Sequence, residues 1–176
     1  MKRGFLLYWI AFAVIAAVVL LQVFRSQGGG EASGPAALQG RAAPSFPVAS
    51  LGGGTSGLDA YRGRIVVMNL WASWCPPCRA EMPDLQRLYQ AYASRNVVVL
   101  GVDQGESAAR VRAFAQSLGI HYPLLVDREQ RYGRVYAALG LPTTIVVDSR
   151  GIVERAFDGP LTYPQMIAAL SPLLRN

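Results

Sequence analysis

Two short runs constrain this chain more than any other feature. "RIVVMNLW" (residues 64–71) and "NVVVLGVD" (residues 96–103) are almost unbroken in apolar character. A strand with one wet face alternates apolar and polar residues; a strand apolar throughout needs both faces covered. Such strands belong in sheets with helices on either side, and the stretches around them supply the helices. From Pro76 to about residue 94, Leu85, Leu88, Tyr89 and Tyr92 recur at helical spacing. "ESAARVRAFAQSLG" is amphipathic and stops at Gly119, a suitable C-terminal cap.

The remainder fits the same plan. "YPLLVD" predicts a short strand and "REQRYGRVYAAL" a helix. "TTIVVD" and "GIVERAF" predict strands joined at "SRG" as a hairpin, and "TYPQMIAALSPLL" predicts a closing helix. Ahead of the first long strand, "FPVAS" and "TSGLDA" flank "LGGG" and predict a short N-terminal hairpin. Strands alternating with helices, then a hairpin and a helix, give an α/β sandwich with a mixed sheet.

The chain has 176 residues, enough for one ordinary domain and something more. The addition is at the start. Residues 5–24, "FLLYWIAFAVIAAVVLLQVF", hold no charge and one polar residue, Gln22. As a helix the run would rise about 30 Å, the thickness of a bilayer's hydrocarbon core. A secretory signal peptide, with a shorter apolar region and a nearby cleavage site, is the alternative; no convincing site follows closely. We expect an uncleaved single-pass transmembrane anchor over residues 1–25. Lys2 and Arg3 precede the run and Arg25 follows it, which favours a cytoplasmic N-terminus and an external domain. Residues 26–43, rich in Gly, Ala, Ser and Pro, are expected to form a flexible linker, with the globular domain over residues 44–176. Residues 26–176 hold 14 basic and 11 acidic groups, a net +3, spread along the chain. No basic stripe points to nucleic acid.

Both cysteines lie in "WASWCPPCRAEMP", two residues apart. A structural staple there would close a loop so short that it stabilises by only roughly 2 kcal/mol. A zinc site needs four ligands, and one Cys pair plus the lone His121 do not supply them. Copper(I) needs fewer, so a copper carrier stays open. The redox reading fits the local geometry. Cys75 falls at a helix N-cap and Cys78 at the third helical position. The dipole and free amides there favour a thiolate, making Cys75 an accessible nucleophile with a lowered pKa and Cys78 the resolving thiol. Pro76 and Pro77 each remove an amide that would otherwise face the Cys75 sulfur. A thiolate less stabilised in this way predicts a reducing couple. Glu81, one turn beyond Cys78, is either a proton carrier for that thiol or an acid that complements the helix dipole.

These residues resemble the thioredoxin superfamily, and in detail its membrane-anchored TlpA/ResA branch of extracytoplasmic thiol–disulfide oxidoreductases. The likeness rests on "APSF" (residues 43–46), "YRGRIVVMNLWASWCPPCRAEMPDL" (residues 61–85) and "LPTTIVVD" (residues 141–148), and spans residues 42–176. It implies a thioredoxin-like fold and a cis Leu141–Pro142 bond facing the cysteines. It implies a substrate chain held against the backbone at Leu141, Pro142 and Thr143, and Trp74 shaping the docking surface beside Cys75. Packing alone is the other reading of Trp74, as of Trp71. Thioredoxins carry a buried Asp where this chain has Asn69; the branch instead places an acid where Glu81 stands, which implies that Glu81 moves the proton. Glu106 sits where some relatives have a second acid. The resemblance implies no cofactor beyond the Cys75–Cys78 couple and no metal. Its implied clients are apocytochrome c or the copper-site subunit of a respiratory oxidase, recharged by a membrane reductant of the CcdA or DsbD kind. A disulfide-inserting oxidase has the same motif. A peroxidase fits less well, because the residues ahead of Cys75 lack its threonine- or serine-containing loop.

Overall fold

A computed structural model describes residue 9, residues 12–22 and residues 34–175. The chain divides into two units, Met1–Ala32 and Ser33–Asn176. In the first, residue 9 and residues 12–22 are helical (the latter stretch α1), with Phe12, Val14, Ile15, Val18, Val19, Leu20 and Leu21 exposed. Among the described residues no helix is long and apolar enough to cross a membrane. The rest of the expected anchor lies outside the described residues.

The second unit is the sandwich that the apolar strands require. A seven-stranded sheet runs in the order β2-β1-β5-β4-β3-β6-β7. Its centre is β3 (Ile65–Trp71), parallel to β4 (Val97–Gln104), which is parallel to β5 (Leu124–Asp127). On the other side β6 (Thr143–Val147) pairs antiparallel with β3, and β7 (Val153–Asp158) antiparallel with β6. The expected N-terminal hairpin is β1 (Val48–Ser50) with β2 (Thr55–Ser56); β1 extends the sheet by pairing antiparallel with β5.

The period of two explains why β3 and β4 are apolar throughout. Ile65, Val67 and Trp71 of β3 and Val97 and Val99 of β4 enter one core layer. There they meet Met82, Leu85 and Leu88 of α2 (Pro76–Tyr92), Val111 and Ala115 of α3 (Ala108–Ser117), and Met166 and Leu170 of α5 (Tyr163–Leu170). The alternate residues, Val66, Met68, Leu70, Val98, Leu100 and Val102, enter the other layer, closed by Tyr132 of α4 (Arg131–Val135) and by Tyr136. Gly101 lets Trp71 and Tyr122 close over β4. A Cβ there would stand 3.0 Å from the Tyr122 ring and 3.1 Å from Trp71 Nε1.

Two expectations need correction. The segment read as linker over residues 26–43 is ordered in its second half. Gly34–Leu38 forms a 3₁₀ helix, Leu38 and Ala43 pack on the second layer, and Ala42 bridges Ile152. The Gly40 N–H donates to the Val153 carbonyl and the Val153 N–H to the Arg41 carbonyl. This segment pairs with the start of β7, at the outer edge of the sheet, where amides would otherwise be unpaired. The helix expected across "REQRYGRVYAAL" shortens to α4. Gln130 and Ala137 at its ends take positive φ, and Gln104 and Asp127 capture the Gly133 and Tyr132 amides.

Candidate active site

The strand β3 ends at Trp71, and a tight turn carries the chain into α2. Its closure is the Cys75 N–H donating to the Ala72 carbonyl at 3.2 Å. Cys75 is the N-cap, in extended conformation, with prolines at the first two helical positions. The first amide that can reach its sulfur therefore belongs to Cys78, which donates to Cys75 Sγ at 3.3 Å. The two cysteines are joined as a disulfide. In this oxidised form Cys75 as a whole residue is 3% exposed. Trp74 beside it is 63% exposed. Trp71, by contrast, is buried and stacks on Phe114 at 5.6 Å.

Glu81 lies on the buried side of α2, 3% exposed. Its carboxyl accepts from the Leu161 N–H at 3.1 Å and from Asn69 Nδ2 at 3.4 Å. Asn69 also donates to Thr144 Oγ1 at 3.0 Å, so three elements meet at this acid. Leu161 is held in place because α5 is tied to α2. Asp84 accepts from the Tyr163 N–H at 3.1 Å, and the Arg87 guanidinium lies 4.0 Å over the Tyr163 ring. Burial dominates the electrostatics and pushes the Glu81 carboxyl up to about 7; the Leu161 and Asn69 donors oppose it. A group balanced near neutrality exchanges a proton readily in either direction.

Glu106 sits on the other side of the cysteine turn. One oxygen accepts from the Ser73 N–H at 2.6 Å; the other accepts from Ser73 Oγ at 2.6 Å and from Arg110 Nε at 2.6 Å. Desolvation works against ionisation, but the Ser73 and Arg110 donors outweigh it and hold this carboxyl below its ordinary value. Glu106 thus fixes the residue two before Cys75. Beneath it lies Asp103, a residue the sequence reading did not single out. It is wholly buried, and its carboxyl is pushed up to about 8 by burial and by the neighbouring acids Glu106 and Asp127.

The Leu141–Pro142 bond is cis. Leu141 packs against the layer that contains both cysteines, and with Trp74 it lines a groove of about 620 Å³. Thr143 is wholly buried. Its hydroxyl donates to the Gly140 carbonyl at 2.8 Å and bonds Asp158 Oδ1 at 3.0 Å. The side chain therefore shapes the loop from below, and only backbone is left for contact with another chain. His121 is not among the residues that line this groove; its N–H donates to Gln86 Oε1 at 2.8 Å. Among the described residues no three His, Cys, Asp or Glu side chains gather as a metal site.

A disulfide at a helix tip, with a proton-balanced carboxyl under one side and an ionised one under the other, can accept and return two electrons and the accompanying protons. Known proteins of similar sequence and structure agree. The AhpC/TSA family matches residues 39–156. The thiol–disulfide oxidoreductase ResA of Geobacillus thermodenitrificans is 37% identical over 123 residues, 70% of this chain and 71% of that protein. The thioredoxin-like protein YneN of Bacillus subtilis is 35% identical over 130 residues, 73% of this chain and 76% of that one. Among solved structures, a thiol:disulfide interchange protein of the thioredoxin family from Chlorobium tepidum superposes with a TM-score of 0.67 at 28% identity. It covers 76% of this chain and 95% of its own.

Proposed function

Because the chain belongs to the AhpC/TSA family, and within it to the ResA-like thiol–disulfide oxidoreductases, we propose that it is a membrane-anchored reductase of protein disulfides outside the cytoplasm. The reduced Cys75 thiolate attacks one sulfur of a client disulfide and expels the other as a thiolate. Glu81 takes the proton of Cys78. The Cys78 thiolate then attacks Cys75 and releases the second client sulfur. Two electrons pass from the dithiol to the client, and the Cys75–Cys78 disulfide remains. Trp74 and the backbone at Leu141, Pro142 and Thr143 hold the client chain. A membrane reductant of the CcdA or DsbD kind restores the dithiol.

One observation carries the direction. The amides at positions 76 and 77 are missing, and the Cys75 sulfur accepts from a single backbone N–H, that of Cys78, at 3.3 Å. Fewer donors stabilise the thiolate less and make the couple more reducing. The exposed apolar side chains of α1 and the basic residues before it support an anchor with the domain outside. The resemblance favours apocytochrome c or an oxidase copper-site subunit as client.

Equilibration of the purified domain with glutathione tests the direction: a reducing potential is expected, and one near the oxidising extreme overturns it in favour of disulfide insertion. A Cys78→Ala variant in cells should leave clients covalently held on Cys75, and their identity names the pathway. Tight stoichiometric copper(I) binding without exchange activity would instead mark a metal carrier. Deletion of residues 1–25 should move the protein out of the membrane fraction.

A further inference from the structure

Asp103 has no place in the exchange steps, yet it is a buried acid near the cysteine turn. It is the penultimate residue of β4, with its side chain sealed from solvent. Oδ1 accepts from the Glu106 N–H at 2.9 Å. Oδ2 has no hydrogen-bond partner among the described residues while it is read as an acceptor. An ionised carboxylate with one bare buried oxygen is costly. Its charged surroundings make this worse. Glu106 lies in the loop after its own strand, and Asp127 faces it from β5, with Asp127 Oδ1 also lacking a partner among the described residues. The cation at this cluster, Arg110 of α3, is spent on Glu106 and Ser73. From α4, Tyr132 offers its backbone N–H to Asp127 Oδ2 at 2.7 Å. A proton on Asp103 resolves the conflict, because the bare oxygen then becomes a donor and the neighbouring acid able to accept from it is Glu106, whose own N–H already holds Oδ1.

We propose that Asp103 and Glu106 form an acid pair holding one proton between them, and that this pair, through Ser73, positions the turn bearing Trp74 and Cys75. Asp103 is a positioning residue here, acting through Glu106; the inference rests on Cys75 being the nucleophile. Loss of the shared proton places two buried carboxylates against each other and loosens the grip on Ser73.

The test uses the oxidised protein, in which neither cysteine titrates. In nuclear magnetic resonance spectra of the wild type, the Ser73 amide and the Trp74 indole should both shift with a midpoint near the about 8 of Asp103. Asp103→Asn keeps an acceptor for the Glu106 N–H and offers a permanent donor, so it should lose that step and hold the turn at all pH values. Glu81→Gln, as a control, should retain it. A step that persists in Asp103→Asn, or a Ser73 shift without a Trp74 shift, overturns the proposal. If Asp103→Asn does not fold, the carboxyl carbon resonance of Asp103 in the wild type decides. A carboxyl already ionised at pH 6 sinks the shared proton, and one still protonated there upholds it. None of these readouts depends on client or direction, so failure here is distinct from failure of the reductase assignment.

Discussion

Two carboxyls flank the same cysteine turn, both buried, and the fold drives them in opposite directions. Glu81, under the Cys78 side, has two long donors, at 3.1 Å and 3.4 Å, and rises to about 7. Glu106, under the Ser73 side, has three donors at 2.6 Å, one of them cationic, and falls below its ordinary value. Burial acts on both; the number, length and charge of the donors decide which acid keeps its proton. One region is therefore equipped to move a proton, the other to hold a fixed charge and a fixed shape.

The largest expected effect comes from removing the fixed charge. Glu106→Ala leaves the Ser73 N–H and hydroxyl buried without an acceptor, and should cost about 4 kcal/mol of stability in denaturant titration of the oxidised protein. A loss under about 1 kcal/mol would mean that water replaces the carboxylate and that the contrast is overdrawn.

Glu81→Gln probes the other region. The folded pKa of Glu81 is raised, from 4.5 to about 7. Its contribution to stability is therefore fully present below pH 4.5 and lost as pH rises through 7. Between those limits the wild type should lose roughly 3 kcal/mol more than the Gln variant does. The same variant should resolve mixed disulfides about a hundredfold more slowly at pH 7, the lower end for a positioned proton carrier. A rate profile that keeps its limb near neutrality in the variant would place the proton elsewhere.

The smallest effect sharpens the comparison. Asn69→Ala removes the weaker of the two donors to Glu81, so the neutral limb of the exchange rate should move to higher pH by a few tenths. A move to lower pH would contradict a donor role for Asn69.

Much of this arrangement is legible in the chain itself. Unbroken apolar strands demand a covered sheet, and the spacing of Pro76, Cys78 and Glu81 places the chemistry on one helical turn. What the sequence conceals is long-range. The amide that tempers Glu81 belongs to Leu161, and Asp103 looks like any acid near the end of a strand until Glu106 folds over it. Residues 34–43 read as linker because Gly and Ala dominate their composition; their order comes from backbone bonds to β7, which leave no mark in side-chain pattern.

The bond between Leu161 and Glu81 crosses 80 residues of chain. It makes the acid a reporter on how the C-terminal helix is seated. Lifting α5 by even part of a turn strips the carboxyl of its backbone donor and tightens its hold on the proton; with Glu81 as the proton acceptor proposed for Cys78, the readiness of that thiol to react would then be governed in part from the far end of the polypeptide.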